Sequence, residues 1–186
     1  MMKRWILMGL LFTSAGGAHG REMPVARPTD PFTLIVADSM GVTPDEAARR
    51  LNMRTEAVRA RRQAMVEMKE RYAGSDYTDV PGTLTIRLTG DVPLPARTLP
   101  TPYGPLNMQF IGGAPHTIAE LSRARTSDAF TALFSGYGNG VDETKGELYV
   151  EIREQAELEA FQADAAAIER AVGVPVTLRK LRPVQP

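Results

Sequence analysis

Thr43-Pro44-Asp45-Glu46 opens the segment that most restricts how this chain can fold. A threonine three residues before a glutamate, with proline at the first helical position, has the form of a capping box. The hydroxyl accepts from the amide three residues on, and the carboxylate reaches back. The helix is expected to run to about Tyr72. Leu51, Val58, Met65 and Tyr72 recur every seven residues as one apolar stripe, beside Ala47, Ala57, Ala64 and Met68. Gly74 closes the helix and Asp79-Val80-Pro81-Gly82 turns the chain. Leu84, Ile86 and Leu88 then alternate with Thr85, Arg87 and Thr89, as in a strand with one buried face.

Helix followed by strand occurs twice. Thr117-Ile118-Ala119-Glu120 is a second capping box, and its helix should bury Ile118, Leu121, Phe130, Leu133 and Phe134 and stop by Gly136. Glu147–Arg153 alternates with Leu148, Val150 and Ile152 on one face. Leu158, Phe161, Ala165, Ile168 and Val172 form a narrow helical stripe closed by Gly173, and Val174, Val176 and Leu178 make a last strand. Strand, helix and strand of this length form a βαβ unit with parallel strands. Earlier, Asp30 and Pro31 start a short helix that Gly41 can end in a left-handed cap. The expected fold class is α+β, as two small α/β subdomains with helices packed on short sheets. The expected boundaries are residues 30–91 for the first, 92–115 for a Pro/Gly-rich linker, and 116–186 for the second with its tail. Leu106, Met108 and Phe110 suggest a short strand inside the linker.

Residues 1–20 have the layout of a cleaved Sec signal peptide. Lys3 and Arg4 precede the apolar run Ile6–Phe12, and Ala18-His19-Gly20 allows cleavage before Arg21. The run is far short of the ~20 residues of a spanning helix, so no stable membrane anchor is expected. The product would be periplasmic or secreted, with residues 21–29 as a flexible leader. Processing would remove two of the 22 basic residues and no acidic one, leaving a net charge of −2. That charge supplies no field to draw the protein onto nucleic acid.

The residues available for chemistry are few. The chain has no cysteine, which excludes disulfides and thiol chemistry. His116 is the only histidine outside the signal, so a His/Cys zinc site cannot be assembled and a catalytic triad would have to be built on that one residue. No Gly-x-Ser-x-Gly elbow is present. Gly136-Tyr137-Gly138-Asn139-Gly140 follows a helix and precedes a strand, the reverse of a phosphate loop, and reads as a turn. Asp142, Glu143 and Glu147 lack the spacing of a calcium loop. The chain is expected to be no enzyme, with no cofactor, no metal and no catalytic residue.

Asp45–Leu51, Asn52-Met53-Arg54 and Thr55–Arg62 also mimic a helix-turn-helix whose second helix carries Arg59, Arg61 and Arg62. Three features favour one continuous helix instead. The seven-residue stripe runs straight through Asn52–Thr55, the proposed turn has no glycine, and a signal peptide removes the chain from DNA. Nucleic acid is therefore not an expected partner.

Beyond its first twenty residues the chain resembles the N-terminal pro-region of secreted bacterial serine proteases of the alpha-lytic and streptogrisin type. Gly41-Val42-Thr43-Pro44, Glu46-Ala47 and Arg49-Arg50-Leu51 carry the resemblance. It continues through Tyr72-Ala73-Gly74 and a strand ending Thr89-Gly90-Asp91, and more generically through Ile118-Ala119-Glu120-Leu121 and Val141-Asp142. The chain departs from the pattern at Ser75-Asp76, where aromatic residues are usual, and in its proline-rich middle. The resemblance implies two α/β subdomains whose C-terminal sheet docks on the protease, with the segment after the last strand in the substrate cleft, as chaperone and inhibitor. By position it assigns Val174, Val176, Leu178 and Lys180 to the docking strand, and Leu181, Arg182, Pro183, Val184, Gln185 and Pro186 to the cleft segment. No catalytic domain follows within this sequence, so the expected partner is a secreted chymotrypsin-like serine protease bound in trans. The alternative is an envelope structural or interaction protein that keeps the fold without protease binding. In that reading Arg50, Arg54, Arg61 and Arg62 face an acidic C-terminal helix of another copy.

Overall fold

The computed structural model describes residues 24–92 and 94–181. The signal-peptide expectation at Met1–Gly20 therefore lies outside the described residues. The fold is α+β, with two small sheets and helices packed on each.

The first unit begins with α1, Pro31–Met40, and α2, Pro44–Glu67. Gly41 ends α1 in the left-handed region at φ 63°, and its amide closes onto the last carbonyls of the helix. Only half of the first capping box forms. Thr43 accepts from the Glu46 amide at 3.2 Å, while the Glu46 carboxylate turns to Arg49 and Arg50 on its own helix. Those two guanidiniums, Arg49 first, hold the Glu46 carboxyl down at about 2.

Four strands follow: β1, Tyr72–Thr78; β2, Thr83–Thr89; β3, Arg97–Thr101; and β4, Gly104–Ala114. They lie in the order β1-β2-β4-β3, with β2 and β4 parallel and the outer pairs antiparallel. Two expectations are corrected here. The helix stops five residues before Tyr72, and Tyr72–Thr78 is an edge strand. The proline-rich stretch read as a linker with one short strand supplies two, β3 and the inner strand β4, and β4 contains the expected Leu106, Met108 and Phe110. Pro100 is tolerated because β3 lies at the sheet edge, where a missing amide donor breaks no second ladder.

The stripe of α2 also differs from the seven-residue pattern. Val58 and Met65 are exposed, and the face turned to the sheet is Met53, Ala57, Ala60 and Ala64. These residues recur at four, three and four, the true helical period, and pack on Leu84, Ile86, Leu88, Leu106 and Met108. Residues 24–29, expected as part of a flexible leader, are held at Ala26. The buried Asn52 side chain accepts from the Ala26 amide at 2.8 Å and donates to its carbonyl at 2.9 Å.

The second unit contains α3, Ile118–Arg125; α4, Asp128–Phe134; β5, Gly138–Asp142; β6, Glu147–Ile152; α5, Gln155–Ala163; α6, Ala165–Val172; and β7, Val176–Lys180. Thr117 and Glu120 complete the second capping box reciprocally. Each of the two long helices expected from periodicity is divided. Ser127 caps a new start at α4, and Asp164 separates α5 from α6. The glycine-rich run read as a turn is one at Gly136 and then enters the edge strand β5 at Gly138. Sheet order is β5-β6-β7, and β6 and β7 are parallel, as the βαβ pattern implies. Leu121, Phe130, Phe134, Leu148, Val150, Ile152, Leu158 and Ile168 form this unit's core.

The two units meet where the β5–β6 turn lies against β1. An extra residue at Ala73 bulges β1, and Gly74 takes φ 147° there. A Cβ on Gly74 would come within 2.6 Å of the Glu143 carbonyl, so only glycine permits this approach. Glu143 accepts from Arg61 at 2.6 Å and from the Ser75 amide at 3.2 Å, which fastens α2, β1 and the turn together.

Candidate functional site

β7 is the last strand of its sheet, and its hydrogen bonds identify which groups it leaves free. Leu148 donates to the Pro175 carbonyl at 2.9 Å, and Leu181 donates to the Ile152 carbonyl at 2.8 Å. In a parallel ladder the odd-numbered residues of this segment therefore face β6. Val176, Leu178 and Lys180 direct their amides and carbonyls outward. The Val176 amide is covered by the Glu169 carboxylate at 3.4 Å. Among the described residues, no strand pairs with the outward groups of Leu178 and Lys180. They form a short open edge of the kind that can accept an added strand.

The side chains of this strand divide between two faces. Val174 and Val176 are buried in the core and Leu178 packs against it, so these three contribute by holding the strand in place. Any contact these three made with a partner would therefore run through the main chain. Lys180 is exposed and donates to Gln155 at 3.1 Å. Leu181 is half-buried, and Arg182, Pro183, Val184, Gln185 and Pro186 lie outside the described residues.

The sheet face opposite the helices carries a second set of groups. Arg179 lies 4.6 Å from the centre of the Tyr149 ring and forms an ion pair with Asp142. Tyr149 in turn covers Gly140 on β5; a Cβ on Gly140 would stand 2.6 Å from the Tyr149 hydroxyl. Asp142 also accepts from Thr144 and from the Lys145 amide, closing the β5–β6 turn. The Thr144 hydroxyl first, then Arg179 and the turn amides, holds the Asp142 carboxyl down at about 2. The result is a row of glycine, tyrosine and arginine across three strands beside the open edge. Alternation in Glu147–Arg153 already places Tyr149 opposite Leu148 and Val150. The pairing with Gly140 was not legible, because β5 reads as a turn.

Other expected or considered groups are occupied elsewhere. His116 lines a shallow groove with Glu169, Arg170, Val174 and Pro175, and no hydroxyl side chain lines it. Among the described residues, no three histidine, aspartate or glutamate side chains are grouped closely enough to hold a metal ion. No described helix is long and apolar enough to cross a membrane. α2 runs unbroken through Asn52–Thr55, so the turn of a helix-turn-helix does not form. Three of the four arginines invoked for self-association are paired internally: Arg50 with Glu46, Arg54 with Asp79 and Arg61 with Glu143. No protein-family model matches this chain, and no curated protein matches it in sequence.

Proposed function

We propose that this chain is an exported, non-catalytic binding protein that engages a chymotrypsin-like serine protease in trans, as inhibitor or folding helper. The observation that supports the reading is the outward edge at Leu178 and Lys180, next to the sheet face that the helices of this unit leave uncovered among the described residues. An extended segment of the partner would add a strand there through main-chain hydrogen bonds, while Tyr149 and Arg179 contact its side chains. The resemblance of Gly41–Leu51 and Tyr72–Gly74 to protease pro-regions selects the class of partner. Titration of the purified protein against secreted chymotrypsin-like proteases of the same organism tests this. Inhibition, or faster recovery of activity on refolding, is expected at micromolar concentration. Absence of both effects overturns the reading.

A further inference from the structure

A recess of about 200 Å³ lies at the seam between the two units, lined by Ala73, Arg87, Gly112, Gly113, Glu143 and Lys145 among others. Three local features open it. Ala73, the extra residue of the β1 bulge, lines it with only a methyl group. An extra residue in β4 bulges that strand between Ile111 and Ala114, and a Cβ on Gly112 would meet the Gly90 carbonyl at 2.6 Å. The β5–β6 turn forms the opposite wall.

The charges in this recess are unequally satisfied. Glu143 is engaged through both oxygens, by Arg61 and by the Ser75 amide. Lys145 reaches Glu147 only at 3.5 Å and leaves most of its side chain exposed. Arg87 is different: its Nε is buried and has no hydrogen-bond partner among the described residues. A buried donor of a charged group left without a protein partner favours an acceptor placed in the recess. A guanidinium and an ammonium on facing walls, with the carboxylate of Glu143 already paired with Arg61, select a ligand with negative oxygens.

We infer that this seam recess binds a small oxyanion, a phosphate- or carboxylate-bearing group, held by Arg87 from β2 and Lys145 from the β5–β6 turn. The site bridges the two units, so occupancy would fasten one to the other. It is separate from the β7 edge and does not depend on the proposed protease reading.

Titration of the isotopically labelled protein with inorganic phosphate, and separately with acetate, against sodium chloride at matched ionic strength tests the inference by NMR. Saturable shifts are expected at the Arg87 Nε–H and the amides of Gly112, Gly113 and Thr144–Gly146. The better-bound anion identifies the chemistry, phosphate or carboxylate. Arg87→Gln should weaken binding by about tenfold or more, the loss of one charged hydrogen bond. Lys145→Gln, on an exposed turn and harmless to folding, should also weaken it, and Arg123→Gln on α3 should leave it unchanged. Shifts that rise linearly without saturating with both anions, or undiminished affinity in Lys145→Gln, would overturn the site even if Arg87→Gln failed to fold.

Discussion

Asp142 shows how a single carboxylate can close a turn and tie it to a neighbouring strand. Its hydroxyl, amide and guanidinium partners keep it ionised well below the usual carboxylate range, at about 2. A group with a depressed folded pKa stabilises the native state above its unfolded value near 4, and that stabilisation is lost as pH falls through the folded value. Asp142→Asn should therefore cost about 2 kcal/mol at neutral pH, with the difference from the unsubstituted protein vanishing as pH approaches 2. Urea unfolding at several pH values reads this directly. Other individual residues were legible in advance where their chemistry is local. Asp30-Pro31, Gly41 and the Thr117–Glu120 box stand at the helix boundaries read for them. The Glu46 carboxylate was not legible in the same way, because two arginines one turn on compete with the cap amide and win.

At the scale of elements, the sequence conveys strands that bury one face and conceals those at edges. β2, β6 and the centre of β4 alternate cleanly because each contributes to a core. β1, β3 and β5 have polar, proline- or glycine-rich sequences because they sit at sheet edges, where hydrophobic alternation is not required. The stripe of α2 misled for a related reason: alanines carry little hydropathy, yet they let a helix approach a sheet closely. Ala60→Leu should overpack that contact and cost about 1–3 kcal/mol, while Val58→Ala on the exposed side should stay within about 0.5 kcal/mol, both by denaturant midpoint. The free edge of β7 admits an equally selective test. Proline at Lys180 removes an outward amide and leaves the ladder to β6 intact, so Lys180→Pro should retain thermal stability and lose protease binding by about tenfold or more. Binding that survives the substitution would refute strand addition at this edge.

For the whole molecule, two modest cores joined at one seam must hold without disulfides, since the chain has no cysteine. The fold class and the parallel β6–β7 unit were readable; the seam was not, because Gly74, Arg61 and Glu143 are far apart in sequence and none carries a motif. Export belongs to this scale too, and the protein recovered from its native host should begin at Arg21 or within a few residues of it by intact-mass analysis. A species still carrying Met1 would count against export. The Glu169 carboxylate over the Val176 amide has a consequence for how long any complex lasts. By occupying the first outward donor, it leaves an incoming strand the Val176 carbonyl and both main-chain groups of Leu178 and Lys180 to pair with. At about 0.5–1.5 kcal/mol net per hydrogen bond, five such bonds at most supply a few kcal/mol, short of a durable complex. In the proposed complex, residence time would then rest on what Tyr149 and Arg179 touch, and a partner that fits the edge but not that face should dissociate quickly.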